Sequence, residues 1–494
     1  MHILQIATEL APIAKVGGLA DVLYGLSQEL AKQNHTVEIL LPKYDCIDYS
    51  QLKHLKVEMS DLWSFEGGQK FNNTIWSAEL HNLKLLLLEP HHPRHYFSRG
   101  IIYGCPDDTE RFLYFSRTAL EYLHKADKRP DILHLHDWPV AAIAPLYKEI
   151  YAPLGYQVGG TMLTIHNLEY QGKCAPHTLA RIGLRIDASP LREKLQDPLS
   201  PHTVNLLKSG IEYADFITTV SPTYEKEVER DPLLVGKRDK FKGILNGIDT
   251  QFWNPETDPH LIARYPTNNL EQLFAGKREN RKHLAKHLSL APSKAPLVAS
   301  ITRIVPQKGP ELIHYAMKQT LNLDAQFVML GSNHHSELEQ MFVRLQRDLK
   351  KNRNAAICLD KDEALAHLIF AAADVIVIPS IFEPCGLTQL IALRYGTVPL
   401  VRTTGGLADT VFDIDTSQRP IQERNGFTFE HPTHGGIDWA LNRAINCFQN
   451  DQKRWQSIVE HGLKMDFSWA RSAREYSELY AMLIQQKSQT ARAV

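Results

Sequence analysis

Two basic residues follow an apolar run in the second half of the chain, where they are placed to bind negative charge. Arg303 and Lys308 come shortly after the predicted strand Leu297–Ile301. An arginine offers a planar fork of donors and a lysine a compact charge, so the two together suit a diphosphate group. A departing phosphate needs such charge when no metal ion supplies it. A loop that carries two solvated cations is the alternative interpretation.

The segment Pro379–Gln389 combines an acid with a glycine where a predicted strand meets a predicted helix. Glu383 lies in the predicted turn, and Gly386 opens the predicted helix. The N–H groups at a helix N-terminus favour a phosphate, and a carboxylate accepts hydrogen bonds from sugar hydroxyls. Alternatively, Glu383 is only an acid that the helix dipole favours. Cys385 is not interpreted as a nucleophile, because a site for a phosphate and a sugar needs no thiolate.

The pentapeptide Gly-Gly-Leu-Ala-Asp occurs twice, near opposite ends of the chain. It occupies residues 17–21 and residues 405–409, and each copy follows an apolar run. A glycine pair between a strand and a helix lets backbone N–H groups approach a ligand without a Cβ in the way. The helix N-terminus behind the pair favours an anion. The repeat predicts two α/β halves that bind one negatively charged ligand, although two tight turns would also explain it.

The residues that follow another predicted strand, one that carries two histidines, point to contacts with a sugar. Asp137 offers acceptors for hydroxyl groups, and Trp138 offers an apolar face. His166 follows the next strand and is expected to reach the same ligand, unless it is a histidine of the core. His134 and His136 share one face of their strand, but no cysteine or carboxylate triad accompanies them, so a metal site is not predicted.

Apolar runs that alternate with helical patterns predict the elements that position these residues. Residues 1–42 give a strand, a glycine turn, a helix and a second strand, and this βαβ unit implies a parallel sheet. Ligands bind beyond the carboxyl ends of such strands, where the residues named above fall. Further strands are predicted at Leu83–Leu88, Asp131–His136, Thr161–Ile165, Phe216–Val220, Leu297–Ile301, Gln326–Leu330, Ala356–Leu359, Val375–Ile378 and Val398–Val401.

The length of the chain predicts two α/β domains of the doubly wound, Rossmann-like kind. A chain of 494 residues exceeds what one hydrophobic core usually supports. We place an N-terminal domain at residues 1–250, with the acceptor side and the first glycine-rich loop, and a donor-binding domain at residues 251–470. Residues 471–494 are expected to form a helix that crosses back to the first domain, with a short disordered tail from Gln485.

The charge and the cysteines limit the partners and the compartment. A net charge of −1, from 55 basic and 56 acidic residues, argues against nucleic acid or an acidic membrane surface and suits a neutral polymer. Six scattered cysteines without a Cys-x-x-Cys pair fit a reducing compartment. The first apolar stretch is too short for a signal peptide, so the cytoplasm is the expected location. The sequence does not indicate an oligomeric state.

Together these motifs resemble those of bacterial glycogen synthases and plant starch synthases, the retaining glucosyltransferases that extend α-1,4-glucan. The resemblance extends from residue 1 to about residue 480 and implies a glycosyltransferase B-type fold, in which two Rossmann-like domains face a deep cleft. The matching motifs are Lys15-x-Gly17-Gly18-Leu19-Ala20-Asp21, His136-Asp137-Trp138, His166-Asn167, Thr219-Val220-Ser221-Pro222, Leu245-Asn246-Gly247-Ile248-Asp249, Glu383-Pro384-Cys385-Gly386-Leu387 and Thr404-Gly405-Gly406-Leu407.

The resemblance implies a role for each matching position. Arg303 and Lys308 would stabilise the departing diphosphate, and Glu383 would bind the sugar. The catalytic set it implies is His166, Arg303, Lys308 and Glu383. The donor-binding set is Lys15, Gly17, Gly18, Asp21, Asn246, Cys385, Gly386, Leu387, Thr388, Gly405 and Gly406. Contacts with the sugar or the acceptor fall to Asp137, Trp138 and Asn167.

The implied reaction moves glucose from a nucleotide sugar to the non-reducing end of glycogen or another α-1,4-glucan, with retention of configuration. ADP-glucose is the expected donor. UDP-glucose is the alternative, since Ile381 stands where the family usually has an arginine. No cofactor or metal ion is expected. Asp-x-Asp sequences at residues 360–362 and 413–415 resemble the metal-binding signature of other glycosyltransferases, but we interpret both as surface loops.

Two other functions fit the same architecture. A glucan phosphorylase would need a lysine that holds pyridoxal phosphate, and its absorption spectrum would reveal it. A two-domain protein that closes on a sugar without chemistry would show no turnover. A nicotinamide-dependent dehydrogenase is disfavoured, because neither glycine turn has the Gly-x-Gly-x-x-Gly pattern.

Overall fold

Parallel strands separated by helices make up most of the chain, as the alternation of apolar runs predicts. The computed structural model describes residues 1–184, 189–332 and 337–493. They divide into two units: unit 1 comprises Met1–Gly247 and Trp469–Val494, and unit 2 comprises Ile248–Ser468. Every strand predicted from an apolar run is confirmed, with bounds that agree within two residues.

The main sheet of unit 1 places the carboxyl ends of several strands along one edge. Among the described residues its order is β12-β11-β7-β6-β1-β2-β5-β4-β3, while β8, β10 and β9 form a small separate sheet. Neighbours from β12 to β5 pair in parallel. The strands are β1 (His2–Ile6), β2 (Thr36–Pro42), β3 (Lys53–Glu66), β4 (Gln69–Leu80), β5 (Leu83–Pro90), β6 (Ile132–His136), β7 (Gly160–Ile165), β8 (Lys173–Cys174), β9 (Gln196–Asp197), β10 (Ser200–Asn205), β11 (Phe216–Thr219) and β12 (Phe241–Gly243).

No apolar run predicted the hairpin of β3 and β4, nor the short edge strand β12. Both strands of the hairpin are antiparallel to their neighbours, and β3 forms the other edge of the sheet. Most residues of β3 are exposed, so the strand lacks the continuous apolar run that marks its buried neighbours. Gly67 and Gly68, both with positive φ, make the turn between the strands. A Gly-Gly pair of this kind is the local signal for a hairpin.

The helices of unit 1 cover the sheet through apolar stripes. In α1 the buried residues Leu19, Leu23, Leu26 and Leu30 recur at helical spacing, and the helix begins directly behind Gly17. The helices are α1 (Gly18–Lys32), α2 (Asp108–Lys125), α3 (Trp138–Ala141), α4 (Ile143–Leu146), α5 (Pro176–Ala180), α6 (Ser189–Leu195), α7 (Leu206–Tyr213) and α8 (Pro222–Val228).

Unit 2 repeats this architecture with one fully parallel sheet, whose order is β15-β14-β13-β16-β17-β18. Its strands are β13 (Leu297–Arg303), β14 (Gln326–Ser332), β15 (Ala355–Cys358), β16 (Val375–Ile378), β17 (Val398–Arg402) and β18 (Phe427–Phe429). Its helices are α9 (Leu270–His287), α10 (Pro310–Asn322), α11 (Glu337–Asp348), α12 (Glu363–Ala372), α13 (Thr388–Arg394), α14 (Gly405–Thr410), α15 (His434–Asn450) and α16 (Gln452–Lys464). No described helix is long and apolar enough to cross a membrane.

The last helix, α17 (Trp469–Ala493), returns the chain to unit 1. Residues from Gln485 onward were expected to be disordered, but the helix continues through them to Ala493. Contacts within unit 1 explain the difference. The side chain of Leu483 is buried, and one turn later Lys487 Nζ lies 2.8 Å from Asp215 Oδ2. A polar composition therefore did not indicate disorder in this segment.

We predict that Gly25→Ala destabilises unit 1, because α1 and α17 meet at this glycine. A Cβ at Gly25 would lie 2.0 Å from Trp469 Nε1. Overpacking of this kind typically lowers the free energy of unfolding by about 1–3 kcal/mol. Thermal unfolding measures the effect. Gly435→Ala in helix α15 is the matched control, since its Cβ would meet only Thr433 Oγ1, at 3.9 Å. Equal melting temperatures for the two variants would contradict this packing.

Candidate active site

The residues predicted to bind the substrate in unit 1 lie where parallel strands of the main sheet end. Lys15, Gly17, Gly18 and Asp21 follow β1, Asp137 and Trp138 follow β6, His166 and Asn167 follow β7, and Asn246 follows β12. Since β12, β11, β7, β6 and β1 are consecutive in the sheet, these positions share one edge. The sheet therefore brings the unit 1 candidates together, as expected for an open α/β fold.

A chain of hydrogen bonds orients His166 at this edge. His136 Nε2 donates to Gln5 Oε1 at 2.7 Å, so His136 Nδ1 is the nitrogen that accepts from His166 Nε2, at 3.0 Å. Burial lowers the pKa of His166 to about 3, so the ring is neutral at physiological pH. A neutral imidazole with its proton on Nε2 keeps a lone pair on Nδ1, which can accept a hydrogen bond from a hydroxyl group.

Asp137 is held in a conformation that is unusual for a residue with a Cβ. Its φ is +60°, a region that costs energy and that occurs preferentially at functional sites. Its Oδ1 accepts from the backbone N–H of His166 at 2.7 Å and from that of Asn167 at 3.4 Å. Burial nevertheless raises the pKa of its carboxyl group to about 7, against the lowering effect of these two bonds. The carboxyl group is thus fixed between the ends of β6 and β7.

Glu9, which no sequence motif indicated, organises the first glycine turn. Glu9 Oε2 accepts from the backbone N–H groups of Val16 and Gly17, both at 2.7 Å, and Tyr103 donates to Oε1 at 3.0 Å. A carboxylate of the protein thus occupies two N–H groups in the turn that was expected to face an anion. Lys15 Nζ lies 2.7 Å from Asp21 Oδ1. In the sequence, the only signal that Glu9 accepts these N–H groups is that it is an acidic residue.

Asn246 carries an unsatisfied acceptor at the same edge of the sheet. The residue is buried, and its Oδ1 finds no donor among the described residues. A buried acceptor without a partner is costly, which makes it a natural position for a hydroxyl group of a ligand.

The ring of Trp138 is partly covered by other residues of unit 1. It packs edge-on against Phe112, with ring centroids 5.6 Å apart, and lies beside Gly172.

In unit 2 an ion pair joins the two motifs whose residue types predicted phosphate and sugar binding. Lys308 Nζ donates to Glu383 Oε2 at 2.5 Å, and Ser380 Oγ donates to the same oxygen at 2.9 Å. Glu383 is buried. Arg303 ends strand β13 and is exposed. Because β13 and β16 are neighbours in the parallel sheet, the loops that follow them meet at its carboxyl edge.

Two hydrogen bonds and a close glycine contact hold the Lys308 loop against the Glu383 loop. Ile381 N donates to Gln307 O at 2.8 Å, and Gln307 Nε2 donates to Phe382 O at 3.2 Å. Gly309 has a φ of +66°, and a Cβ there would lie 2.5 Å from Pro379 O. Gln307 was not predicted, since a buried glutamine in a loop has no sequence signature. Together these contacts hold the loop that carries Lys308 against the loop that carries Glu383.

The second glycine pair packs against protein backbone. A Cβ at Gly405 would lie 1.9 Å from Glu383 O, and one at Gly406 would lie 2.1 Å from Cys385 O. Both glycines therefore allow a close approach to the segment that carries Glu383. Gly386 has a φ of +72°, which a helical residue cannot adopt, so α13 begins at Thr388 and not at Gly386 as predicted.

One expected surface loop is in fact buried. Asp413 was interpreted as part of a surface loop, but its side chain is almost fully enclosed and Oδ2 lies 2.6 Å from Arg443 Nη2. Arg443 Nη1 also lies 2.9 Å from Asp415 Oδ2. Arg443 thus pairs with both carboxylates, which sequence spacing could not reveal. Asp362 instead caps helix α12 by accepting from Leu365 N at 2.9 Å.

Comparisons with known protein families cover both units. The sequence model of a family described as "Starch synthase catalytic domain" matches residues 2–243. A second model, described as "Glycosyl transferases group 1", matches residues 281–461. A glycogen synthase from Protochlamydia amoebophila is 48% identical over 97% of this chain and 99% of its own length. A probable starch synthase 4 from Arabidopsis thaliana is 44% identical, and the match spans all of this chain and 48% of the plant protein.

Solved structures support the same relationship. The catalytic domain of starch synthase IV from Arabidopsis thaliana, bound to ADP and acarbose, superposes with a TM-score of 0.92 at 44% identity. The match covers 98% of this chain and 99% of that domain. Sucrose-phosphate synthase from Thermosynechococcus elongatus shares the fold, with a TM-score of 0.63 at 17% identity.

We predict that His166→Gln makes the stability of unit 1 less sensitive to acid. Unfolded histidine has a pKa of about 6.5, whereas burial lowers the pKa of His166 to about 3. Between these two values the unfolded chain takes up a proton on this histidine and the folded chain does not. The contribution of His166 to stability is therefore complete above pH 6.5 and is lost as the pH falls towards 3. As the pH is lowered through this range, the free energy of unfolding should decrease less steeply in the variant than in the wild type. The difference in slope should correspond to about one proton fewer taken up on unfolding. Denaturant unfolding across this range measures the slope.

The control for this experiment is His202→Gln, which replaces an exposed histidine of β10. Its slope should equal that of the wild type. If His166→Gln and the wild type lose stability equally steeply, the imidazole of His166 is not held neutral by the fold.

Proposed function

The chain belongs to the family of bacterial glycogen synthases and plant starch synthases, and we propose that it transfers glucose from ADP-glucose to the non-reducing end of an α-1,4-glucan with retention of configuration. The predicted glycosyltransferase B-type fold is confirmed by the likeness to starch synthase IV. One observation carries the choice of donor: that 44% identical domain, which matches 98% of this chain, was solved with ADP bound. UDP-glucose remains the alternative donor.

In unit 2 the proposed task is to stabilise the diphosphate as it leaves. When the bond between glucose and the diphosphate breaks, negative charge grows on the leaving oxygen. Lys308 is already held by Glu383, and Gln307 holds its loop in place, so its charge needs no reorganisation at that moment. Arg303, exposed at the end of β13, supplies a second cation. We assign both residues to the leaving group.

Glu383 has two tasks in this proposal. Lys308 and Ser380 both donate to Oε2, so the carboxylate orients the ammonium through one oxygen. We assign Oε1 to a hydrogen bond from a hydroxyl of the transferred glucose. The buried carboxylate therefore links the position of the sugar to the position of the cation that acts on the leaving group. Cys385, whose thiol is buried, takes no part in the chemistry.

In unit 1 the proposed task is to bind sugar hydroxyls through acceptors that the fold has fixed. Neutral His166 offers Nδ1, Asn246 offers its unsatisfied Oδ1, and Asp137 offers its carboxyl oxygens. These groups suit a substrate without charge, such as a glucosyl unit or the end of a glucan. We assign the acceptor and the glucosyl hydroxyls to this set.

The reaction is proposed to need neither a metal ion nor another cofactor. Lys308 and Arg303 supply the positive charge that a metal ion supplies in other phosphate chemistry. The Asp413 and Asp415 carboxylates are engaged by Arg443. We also place the protein in the cytoplasm, because all six cysteines are free thiols, which suits a reducing compartment.

A coupled assay of ADP release on glycogen tests the proposal. ADP-glucose should give turnover, and UDP-glucose should give a much lower kcat/KM. The assay is run in excess EDTA, where the rate should equal that without chelator, since no proposed step uses a metal ion. Digestion of the product with an enzyme specific for α-1,4 linkages reports retention. A faster reaction with UDP-glucose would overturn the choice of donor, and rescue by Mg²⁺ alone would overturn the metal-free mechanism.

A further inference from the structure

A group of metal-ligating side chains lies in unit 2 and contains none of the candidate active-site residues. His260, Glu363 and His367 each bring one ligand atom to within 4.8 Å of the other two. Within residues 1–184, 189–332 and 337–493 it is the one such group of three or more histidines, cysteines or carboxylates. Two imidazoles and one carboxylate form a ligand set that proteins use for zinc.

Local structure accounts for the convergence of these three residues. Glu363 and His367 are four residues apart on α12, so both side chains project from the same face of the helix. Asp362 caps the helix and fixes where its first turn begins. His260 comes from the segment before α9, and its ring centroid lies 4.7 Å from that of His367. His260 and Glu363 are exposed, and His367 is buried.

A buried carboxylate fixes the orientation of the His367 ring. Asp258, which is 1% exposed, has its Oδ2 2.7 Å from His367 Nδ1, and Tyr395 donates to the same oxygen at 2.5 Å. A carboxylate oxygen accepts hydrogen bonds, so Nδ1 is the nitrogen of His367 that carries the proton. Carboxylates orient metal-binding histidines in this way.

The other nitrogen of His367 lacks a partner. His367 is 1% exposed, and its Nε2 makes no hydrogen bond with any described residue. Trp253 stacks on the ring, with centroids 4.1 Å apart and planes inclined by 17°. This stacking prevents the imidazole from rotating towards a hydrogen-bond partner. Leaving a buried polar atom unsatisfied costs about 1–3 kcal/mol. A ligand for this lone pair would remove that cost.

We propose that His260, Glu363 and His367 bind one divalent transition-metal ion, for which Zn²⁺ is the best match. Imidazole ligands favour such ions over Mg²⁺ and Ca²⁺, which prefer oxygen. His367 binds through Nε2, and the exposed side of the site leaves a coordination position for water. The ion connects the segment that contains His260 to helix α12, so its role is to stabilise unit 2. This role is separate from glucose transfer.

Titration of the EDTA-stripped, full-length protein with Co²⁺ tests the proposal, because Co²⁺ replaces Zn²⁺ and its visible absorption reports imidazole ligation. The wild type should bind one Co²⁺ per chain, and Zn²⁺ should displace it. His260→Ala and Glu363→Gln should each weaken binding at least about tenfold. Both positions are exposed, so the variants should fold. Zn²⁺ should also raise the melting temperature of the wild type more than that of either variant.

His202→Ala, at an exposed position of β10 in unit 1, is the matched control and should bind Co²⁺ as the wild type does. Two results would overturn the site: no stoichiometric uptake of Co²⁺ by the wild type, or equal affinity in the wild type, His260→Ala and Glu363→Gln. If His202→Ala lost as much affinity for Co²⁺ as His260→Ala and Glu363→Gln, binding would not be specific to this cluster.

Discussion

The ion pair between Lys308 and Glu383 is the interaction on which the proposed chemistry depends. It joins the loops that follow β13 and β16, and its 2.5 Å separation places a cation and an anion together in a largely buried setting. Removing such charges from water is costly, so a pair of this kind persists only where further hydrogen bonds satisfy it. Ser380 supplies one of them, and the contacts of Gln307 and Gly309 hold the loops in place. The geometry of the pair is thus built into the fold.

A second constraint acts through the sheets. Consecutive parallel strands end at one edge, so residues that are far apart in the sequence become neighbours there. His166 and His136 are 30 positions apart, yet their side chains are hydrogen-bonded. This is why the positions after each strand could be predicted as site candidates from apolar runs alone. The resemblance to a family then assigned roles to these positions, and those roles stay predictions.

Other features could not be predicted because they depend on tertiary contacts. Glu9 looks like any acid until the path of the glycine turn brings two N–H groups to it. Asp413 is a surface residue by composition, and only Arg443, 30 positions further on, makes its burial possible. The orientation of His367 depends on Asp258, which is 109 positions away. The exposed hairpin strand β3 lacks the apolar run that marked the buried strands predicted from the sequence. Local patterns therefore located the elements and their ends, while side-chain pairing required the fold.

A double-variant cycle on Lys308 and Glu383 tests the central claim most directly. Lys308→Ala should lower kcat with ADP-glucose by roughly 10²–10³, as for the loss of one preorganised electrostatic contact, with a much smaller change in KM. Glu383→Ala should also lower kcat. If the two residues act as a unit, the double variant should be far more active than the product of the two single effects predicts. Cys385→Ser, at a neighbouring position whose thiol has no proposed part in the chemistry, should keep most of its activity. Multiplicative effects of the two substitutions, or an inactive Cys385→Ser beside a fully active Lys308→Ala, would contradict the account.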